Sequence, residues 1–563
     1  MTTEPLPIEI TPDDRQVIQT QAETNAGVAR ATGVVALGNV TSRVLGLARE
    51  VVLTNLFGAS RAVDAFNVAI IVPKALYDLL IGGHVNSALV PVLSEVVARE
   101  GRPALWRLVS VLCSLVAVGL ALVVLLIELA APHIVQVVGG GFDAPTLALA
   151  TDLLRLTAPA LVFLGLFAVL SGTLYALREF TWPAFAVTVF NGSIVVVSLL
   201  LAPPLAIQQT VGPGLGIHWQ ISRPAEGIVA VTIGWLVGSL AQLALQLPGM
   251  RGARLRFTLR WRHPAIRQIA LLYAPVMFSL ILDTLVIRTF SYNLASQTGE
   301  GSIGYMTWAT TLIQFPQGLV ATAISIAILP TLARQAALVN VQGDQAFKDT
   351  LGLGLRLAIT LILPAMVGLF VLATPIVALL FQHGAFTARD TAITALALRL
   401  YLVGLPFAAL DLLLVYAFYA RQDTLTPALI GLFSLIVYMA VAAVLFPRAG
   451  LFSLMIADSV KHVVHALLSA YWLARRLGGL GGQRLLITIA KAGLAAGAMG
   501  GAAALVEGAL AGPLETPTFL HELALVAISG GAGVAVFLAA TALLRLEELR
   551  WLTGLVARRL RAG

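Results

Sequence analysis

Charged residues stand inside several stretches of this 563-residue sequence that are otherwise largely apolar. Arg43, Arg49 and Glu50 lie in "TSRVLGLAREVVLTNLFG" (41–58), Lys74 in "NVAIIVPKALYD" (67–78) and Arg288 in "LDTLVIRTF" (282–290). A guanidinium is a planar fork of donors that stays charged at any accessible pH, and it fits a phosphate or diphosphate with two parallel hydrogen bonds. This set therefore points to binding of an anionic head group rather than to acid–base catalysis. Each residue also has a plainer reading. On a straight helix Arg49 is turned roughly 120° from Arg43, whereas Glu50, seven residues on, returns to nearly the face of Arg43 and could simply pair with it. Arg288 could pair with Asp283, and Lys74 with Asp78 one turn later.

The stretches that carry these charges are membrane spans. Hydrophobic residues make up 58% of the chain and charged ones 11%, with mean hydropathy +0.91, against roughly 45–50% and about 25% in soluble domains. Apolar runs near the ~20 residues that cross a hydrocarbon core follow one another from residue 28 to about 545. A charge near the centre of such a helix costs at least ~2.5–3.5 kcal/mol, so it faces a cavity or a partner. The spacing predicts an all-α polytopic membrane protein of about fourteen transmembrane helices: two pseudo-symmetric six-helix lobes around a central cavity, plus two C-terminal helices.

The organisation expected from these spans begins with a disordered cytosolic tail (1–27), polar and lacking the basic and apolar regions of a secretory signal. An N-lobe (28–250), a basic cytosolic linker (251–264) and a C-lobe (265–480) follow, then two helices (481–545) and a basic tail (546–563). The net charge of +8, carried mostly by loops and tails, suits an anionic membrane surface and not nucleic acid. With the N-terminus in the cytosol, the inner loops hold Arg99, Arg102, Arg107, Arg251, Arg254 and Arg256 among others, and the outer loops only Arg61, Arg223, Arg389 and Arg448. That asymmetry places both termini in the cytosol. The single Cys113 excludes an intrachain disulfide framework and reads as a small core hydrophobe.

The two lobes are predicted from an internal repeat. "LLRL" and "YALREFTWPAF" (153–156, 175–185) return as "ALRL" and "YARQDTLTPAL" (397–400, 419–429), so Arg155/Arg399, Tyr175/Tyr419 and Pro183/Pro427 share an offset of 244 residues. Upstream, "LVPVLSE" (89–95) and "ILPTLAR" (328–334) share an offset of 239, which also carries Arg49 onto Arg288. Copies with an even number of helices run parallel and are related by an axis along the membrane normal. Arg49 and Arg288 are then expected across a cleft from one another.

Other candidates carry less chemistry. Asp458, His462 and His465 share a helix face at metal-ligand spacing, but Lys461 offers Asp458 a simpler partner. Gly493, Gly497 and Gly501 repeat every four residues, which predicts a close-packing face. Walker-type and H-E-x-x-H motifs are absent from the sequence, as are aspartate-rich magnesium motifs. No enzymatic activity, cofactor or metal is expected, and the drive for transport falls to a coupling ion or the membrane potential.

At this point the residues resemble a known family. "SRVLGLARE" (42–50), "FGAS" with "VDAF" (57–66), "LVPVLSE" (89–95), "FPQGLVATAISIAILPTL" (315–332) and "FYARQDTLTP" (418–427) are similar to the MurJ/MviN family of lipid II flippases, in the multidrug/oligosaccharidyl-lipid/polysaccharide exporter superfamily. The resemblance implies that the chain flips an undecaprenyl-diphosphate-linked disaccharide-pentapeptide across the bacterial cytoplasmic membrane by alternating access. It implies substrate-binding roles for Arg43 and Arg49, with Glu50 where the family usually has aspartate, and as partners membrane lipids and cell-wall synthesis proteins. Two departures stand out: Tyr77 and Asp78 replace second-helix arginines, and Thr311 replaces an eighth-helix arginine. Lys74 and Arg288 are the cations placed to substitute for them. Export of another lipid-linked saccharide, or a transport-inactive scaffold of envelope assembly, are the competing readings.

Overall fold

The computed structural model describes residues 12–75, 84–202, 227–258, 286–338, 343–510 and 519–546, with positions 266, 267, 269, 271 and 548, and gives main chain only for 12–32, 84–88 and 326. All regular structure among these residues is helical. The N-terminal half comprises α1 (Pro12–Phe57), α2 (Arg61–Ala69), α3 (His84–Val138), α4 (Ala144–Thr157), α5 (Ala160–Ala176), α6 (Thr181–Leu201) and α7 (Ile228–Ala244). The C-terminal half holds α8 (Thr289–Ser296), α9 (Ser302–Pro316), a π-helical segment (Gln317–Thr322), α10 (Ala323–Ala337), α11 (Gln345–Val371), α12 (Ala373–Phe381), α13 (Ala388–Leu402), α14 (Leu405–Ala420), α15 (Leu425–Ala449) and α16 (Phe452–Arg476). Two last helices, α17 (Leu485–Leu510) and α18 (Phe519–Leu543), pack on each other and on α11.

Among the described residues nine helical runs are long and apolar enough to cross a membrane, and a tenth is the pair α13 and α14, bent by 42°. Hydropathy predicts spans at 182–206 and 519–545, and the helices observed there are Thr181–Leu201, followed by residues outside the described set from 203, and Phe519–Leu543. α3 joins two predicted spans across a break at Gly101, whose φ of 78° takes it out of the helix. The predicted spans 62–97 and 265–297 run partly through residues outside the described set, and α1 stands apart because it carries Arg43, Arg49 and Glu50.

α1 departs from expectation at its start. It begins at Pro12, well inside the segment expected to be a disordered tail. Proline at a first helical position has its φ preset and no N–H to leave unsatisfied, and the residues that follow contain no second proline to stop the helix. α17 departs too. Gly493, Gly497 and Gly501 meet nothing within 4 Å at a virtual Cβ, while Ala492, Ala495, Ala496, Met499 and Ala503 are the buried face. The glycine stripe therefore looks outward, and alanines supply the close packing.

The repeat is visible in the backbone. α4 and α13 begin at residues 144 and 388, and α6 and α15 at 181 and 425, both pairs at the predicted offset. The turns before α6 and α15 match in detail. Arg178 and Gln422 both adopt left-handed φ, 62° and 59°. The main-chain bonds Glu179 N→Leu174 O (2.8 Å) and Asp423 N→Phe418 O (3.0 Å) recur one for one. Within the lobes small residues let backbones approach, as where Gly38 of α1 leaves no room for a Cβ against Ala184 O of α6, the packing that substitutes for a hydrophobic drive in lipid.

A cluster of contacts joins the lobes at one end of the molecule. There Ala385 N donates to Asn55 O (2.9 Å), Gly141 N donates to Ser296 Oγ (2.9 Å), and Arg61 N donates to Glu300 Oε1 (3.1 Å). The fully buried carboxylate of Asp64 in α2 accepts from the backbone N–H groups of Gly301 (2.7 Å), Ile303 (3.1 Å) and Gly304 (3.0 Å) at the start of α9. An anion on the unsatisfied donors and positive dipole end of a helix is a favourable contact. It ties one lobe to the other.

Candidate functional site

Between the lobes lies a cavity of about 890 Å³ whose lining includes Arg43, Arg49, Lys74 and Arg288 together. The sequence-predicted cations thus come from both halves of the chain onto one space. Thr307, Thr310 and Thr311 of α9, Tyr292 of α8 and Tyr401 of α13 add hydroxyl-bearing side chains to its wall.

Arg43 reaches from α1 across to the second lobe, where Nη1 donates to the carbonyl of Gln314 (3.3 Å). Its guanidinium lies against Gly318, where a virtual Cβ would come within 2.4 Å of Nη2. Pro316 and the π turn after it explain the access, because a proline and a π turn both interrupt the regular i→i−4 pairing and leave carbonyls for other donors.

Arg49 is held more tightly. Nη2 donates to Glu50 Oε1 (2.5 Å) and Nη1 to Asn191 Oδ1 on α6 (3.1 Å), and its Cζ sits 5.9 Å from the ring centroid of Trp235 on α7. Three elements therefore orient one guanidinium over an aromatic face. The Arg43–Glu50 pair allowed by helical spacing is not formed; Glu50 pairs with its neighbour Arg49 instead, because a long side chain can reach sideways along the helix surface. Glu50, only 4% exposed, is not among the residues lining the cavity. It stands behind Arg49 as a positioning carboxylate rather than in contact with the space.

Lys74, Arg288 and Thr311 line the same cavity. Tyr77, Asp78 and Asp283, the alternative partners read from the sequence, lie outside the described residues.

One further cation was missed. Lys461 of α16 lines the same cavity with Asp458 and His462; its Nζ is 2.5 Å from Asp458 Oδ1 and 5.6 Å from the ring centroid of Tyr438 on α15. The signal was present, since a lysine inside a predicted span is costly, but local pairing with Asp458 accounted for it without a cavity. No group of residues suited to a metal is found among the described residues, and His465, part of the metal-like trio, instead contacts Asp411. With five basic side chains on its wall against Asp458, the cavity is electropositive and suited to an anion.

An all-helical membrane body of two repeated lobes around a charged cavity is the architecture of a transporter that works by moving lobe against lobe. The chain belongs to the lipid II flippase family: the family model described as "Lipid II flippase MurJ" matches residues 53–524. It is 30% identical over 446 residues to the lipid II flippase MurJ of Burkholderia cenocepacia, covering 77% of this chain and 81% of that one. It is 32% identical over 465 residues to the probable flippase of Haemophilus influenzae, covering 77% and 83%. Among solved structures, a lipid II flippase MurJ in an inward closed conformation superposes with TM-score 0.72 at 23% identity, covering 90% of this chain and 98% of that one. An inward-facing MATE family multidrug transporter superposes with TM-score 0.61 at 15% identity, covering 78% and 96%, which extends the shared fold beyond the family.

Proposed function

We propose that the chain carries lipid II, the undecaprenyl-diphosphate-linked disaccharide-pentapeptide, from the cytosolic to the outer leaflet of the bacterial cytoplasmic membrane by alternating access. The observation that carries this reading is the convergence of Arg43, Arg49, Lys74 and Arg288 from two lobes on one cavity. Guanidinium forks and an ammonium match a diphosphate in charge and geometry. In this reading the four cations and Glu50 form the substrate site, Glu50 acting through Arg49. The end sealed by Asp64 faces outward and both termini are cytosolic. The cavity takes the head group while the polyprenyl tail stays in lipid, and cell-wall synthesis proteins supply and consume the cargo.

Thr311 favours a second reading. With a threonine there and Lys461 supplying a cation from α16, the head-group contacts are rearranged, which suits a related lipid-linked saccharide. Expression of the chain in a bacterium depleted of its own flippase separates the two. Rescue of growth and cell shape supports lipid II transport; a correctly inserted protein that fails to rescue rejects it.

A further inference from the structure

The two halves of the chain line the cavity with different chemistry. α6 and α15 are equivalent by the 244-residue offset, and α7 and α16 are the helices that follow and pack on them. On the first side Asn191 of α6 and Trp235 of α7 line the cavity and orient the guanidinium of Arg49. The position equivalent to Asn191 in the second copy is Leu435, a buried core residue. Tyr438 of α15 lines the cavity where the first copy has the buried Ile194. α16 then contributes Asp458, Lys461 and His462, whose spacing keeps Asp458 on one helix face with the other two. The second wall is not a copy of the arginine clamp.

Asp458 gives that wall its character. Among the described residues lining the cavity it is the one carboxylate. Its Oδ1 meets Lys461 Nζ at 2.5 Å, and its Oδ2 lies 3.6 Å from His462 Nε2. The side chains of Asp458, Lys461 and His462 are 27, 22 and 29% exposed, whereas Ala457 and Ser459 on either side of Asp458 are buried. Lys461 Nζ also sits 5.6 Å from the ring centroid of Tyr438, whose hydroxyl is 2.6 Å from Ser291 Oγ. An ion pair backed by a fixed aromatic ring is thus presented to the cavity.

A carboxylate in this place repels a phosphate and attracts an ammonium. Both charges of the pair can be exchanged at once. A ligand carrying an ammonium and a carboxylate gives each side chain a new partner of the right sign, so neither is left uncompensated in a partly dry site. A ligand with one charge alone breaks the pair and leaves the other member without its partner. The α16 wall therefore selects a zwitterion, while a diphosphate keeps to the guanidinium forks.

We propose that Asp458 and Lys461 form a second subsite that takes the peptide of the head group, Asp458 receiving an ammonium and Lys461 a carboxylate. His462 and Tyr438 are positioning residues, the first beside the free oxygen of Asp458 and the second beneath the lysine. The proposal rests on lipid II as the cargo, whose pentapeptide carries a side-chain ammonium and carboxylates away from the diphosphate. Recognition at both ends requires the whole head group, and not the diphosphate alone, to be seated between the lobes.

The test titrates the purified full chain, in nanodiscs, with lipid II and with lipid II whose peptide amine is acetylated, which removes the ammonium. Wild type binds the acetylated lipid about 10-fold more weakly, the loss expected when a hydrogen bond between charged groups goes. Asp458→Asn binds both lipids alike, and Asp458→Glu, which keeps the charge, restores the preference. Arg49→Ala weakens both in the same proportion, so the preference belongs to α16 and not to the arginines. Because the readout is a ratio between two ligands on one preparation, a loss of folded protein does not imitate it. Equal binding of the two lipids by the wild type overturns the subsite and leaves the diphosphate reading standing. A 10-fold preference that survives in Asp458→Asn also overturns it. Binding of neither lipid by a folded wild type rejects lipid II as the cargo, and the peptide assignment with it.

Discussion

Asp64 accepts a hydrogen bond from the backbone N–H of Ile303 at 3.1 Å, and residue 303 is the position that corresponds to Asp64 itself in the second copy of the repeat. Arg61 and Glu300, joined at 3.1 Å, are related by the same 239 residues. Around them Gly58 abuts Ala385 and Gly141 abuts Gln297, and these two contacts exchange when each residue is replaced by its repeat equivalent. Equivalent residues meet in this reciprocal way only beside a two-fold axis. The axis expected along the membrane normal therefore passes through the sealed end, and Asp64 is the bolt beside it.

Removing the bolt should open that end. Asp64→Ala deletes three hydrogen bonds to a buried carboxylate, each worth about 1.5–3 kcal/mol, and leaves the start of α9 without its anion. A cysteine at Ala59 in a Cys113→Ala background should then react with an impermeant thiol reagent far faster than in the same background with Asp64 intact. Equal reaction rates in a correctly inserted protein would exclude Asp64 as the closing contact.

Much of this was legible in the sequence, for physical reasons that differ by feature. Lipid forces every backbone group into a helix, so hydropathy alone places α6, α15 and α18 to within a few residues. The repeat could be read because Arg178 and Gln422 occupy equivalent tight turns whose flanking Tyr and Pro recur. Arg43 and Arg49 could be read because charge in a span is costly. What could not be read is lateral choice: spacing suggested that Glu50 faces Arg43, yet Glu50 took Arg49. Four-residue glycine spacing on α17 likewise said nothing of which face a neighbour covers. Lys461 was hidden by an adequate local partner.

The path of Arg43 makes Gly318 a sensitive position. Gly318→Ala places a methyl group within 2.4 Å of Nη2, so the guanidinium must leave the carbonyl of Gln314. Rescue of flippase-depleted cells by Gly318→Ala should fall to the level of Arg43→Ala, at unchanged membrane abundance. The double variant should be no worse than either single one, since residues acting through one contact are not additive.

Sidedness can be checked directly. The segments 57–61, 139–143, 297–303 and 382–388 all lie at the sealed end, through contacts such as Ala385 N→Asn55 O and Gly141 N→Ser296 Oγ. Cysteines within 134–144 or 298–301, again without Cys113, should label on intact spheroplasts, and those in 251–264 only after permeabilisation. The opposite pattern would invert the transporter and the assignment of both termini.

Arg49 and Arg288 offer the closest test of how the repeat serves transport. Equivalent by the 239-residue offset, they line one cavity from two lobes. A diphosphate that accepts from both guanidinium forks gains the second set of contacts only when the lobes are close, so substrate occupancy favours the state in which the lobes close on the head group. A ligand shifts such an equilibrium only through differential contact of this kind. Arg49→Ala and Arg288→Ala should each abolish rescue without lowering membrane levels. Arg→Lys at either position should restore little, because an ammonium lacks the planar fork, and because Arg49 would also lose its simultaneous contacts to Glu50 and Asn191. Full rescue by Arg288→Ala, with the protein normally inserted, would show that the second arginine only packs the lobe and that closure does not depend on the symmetric pair.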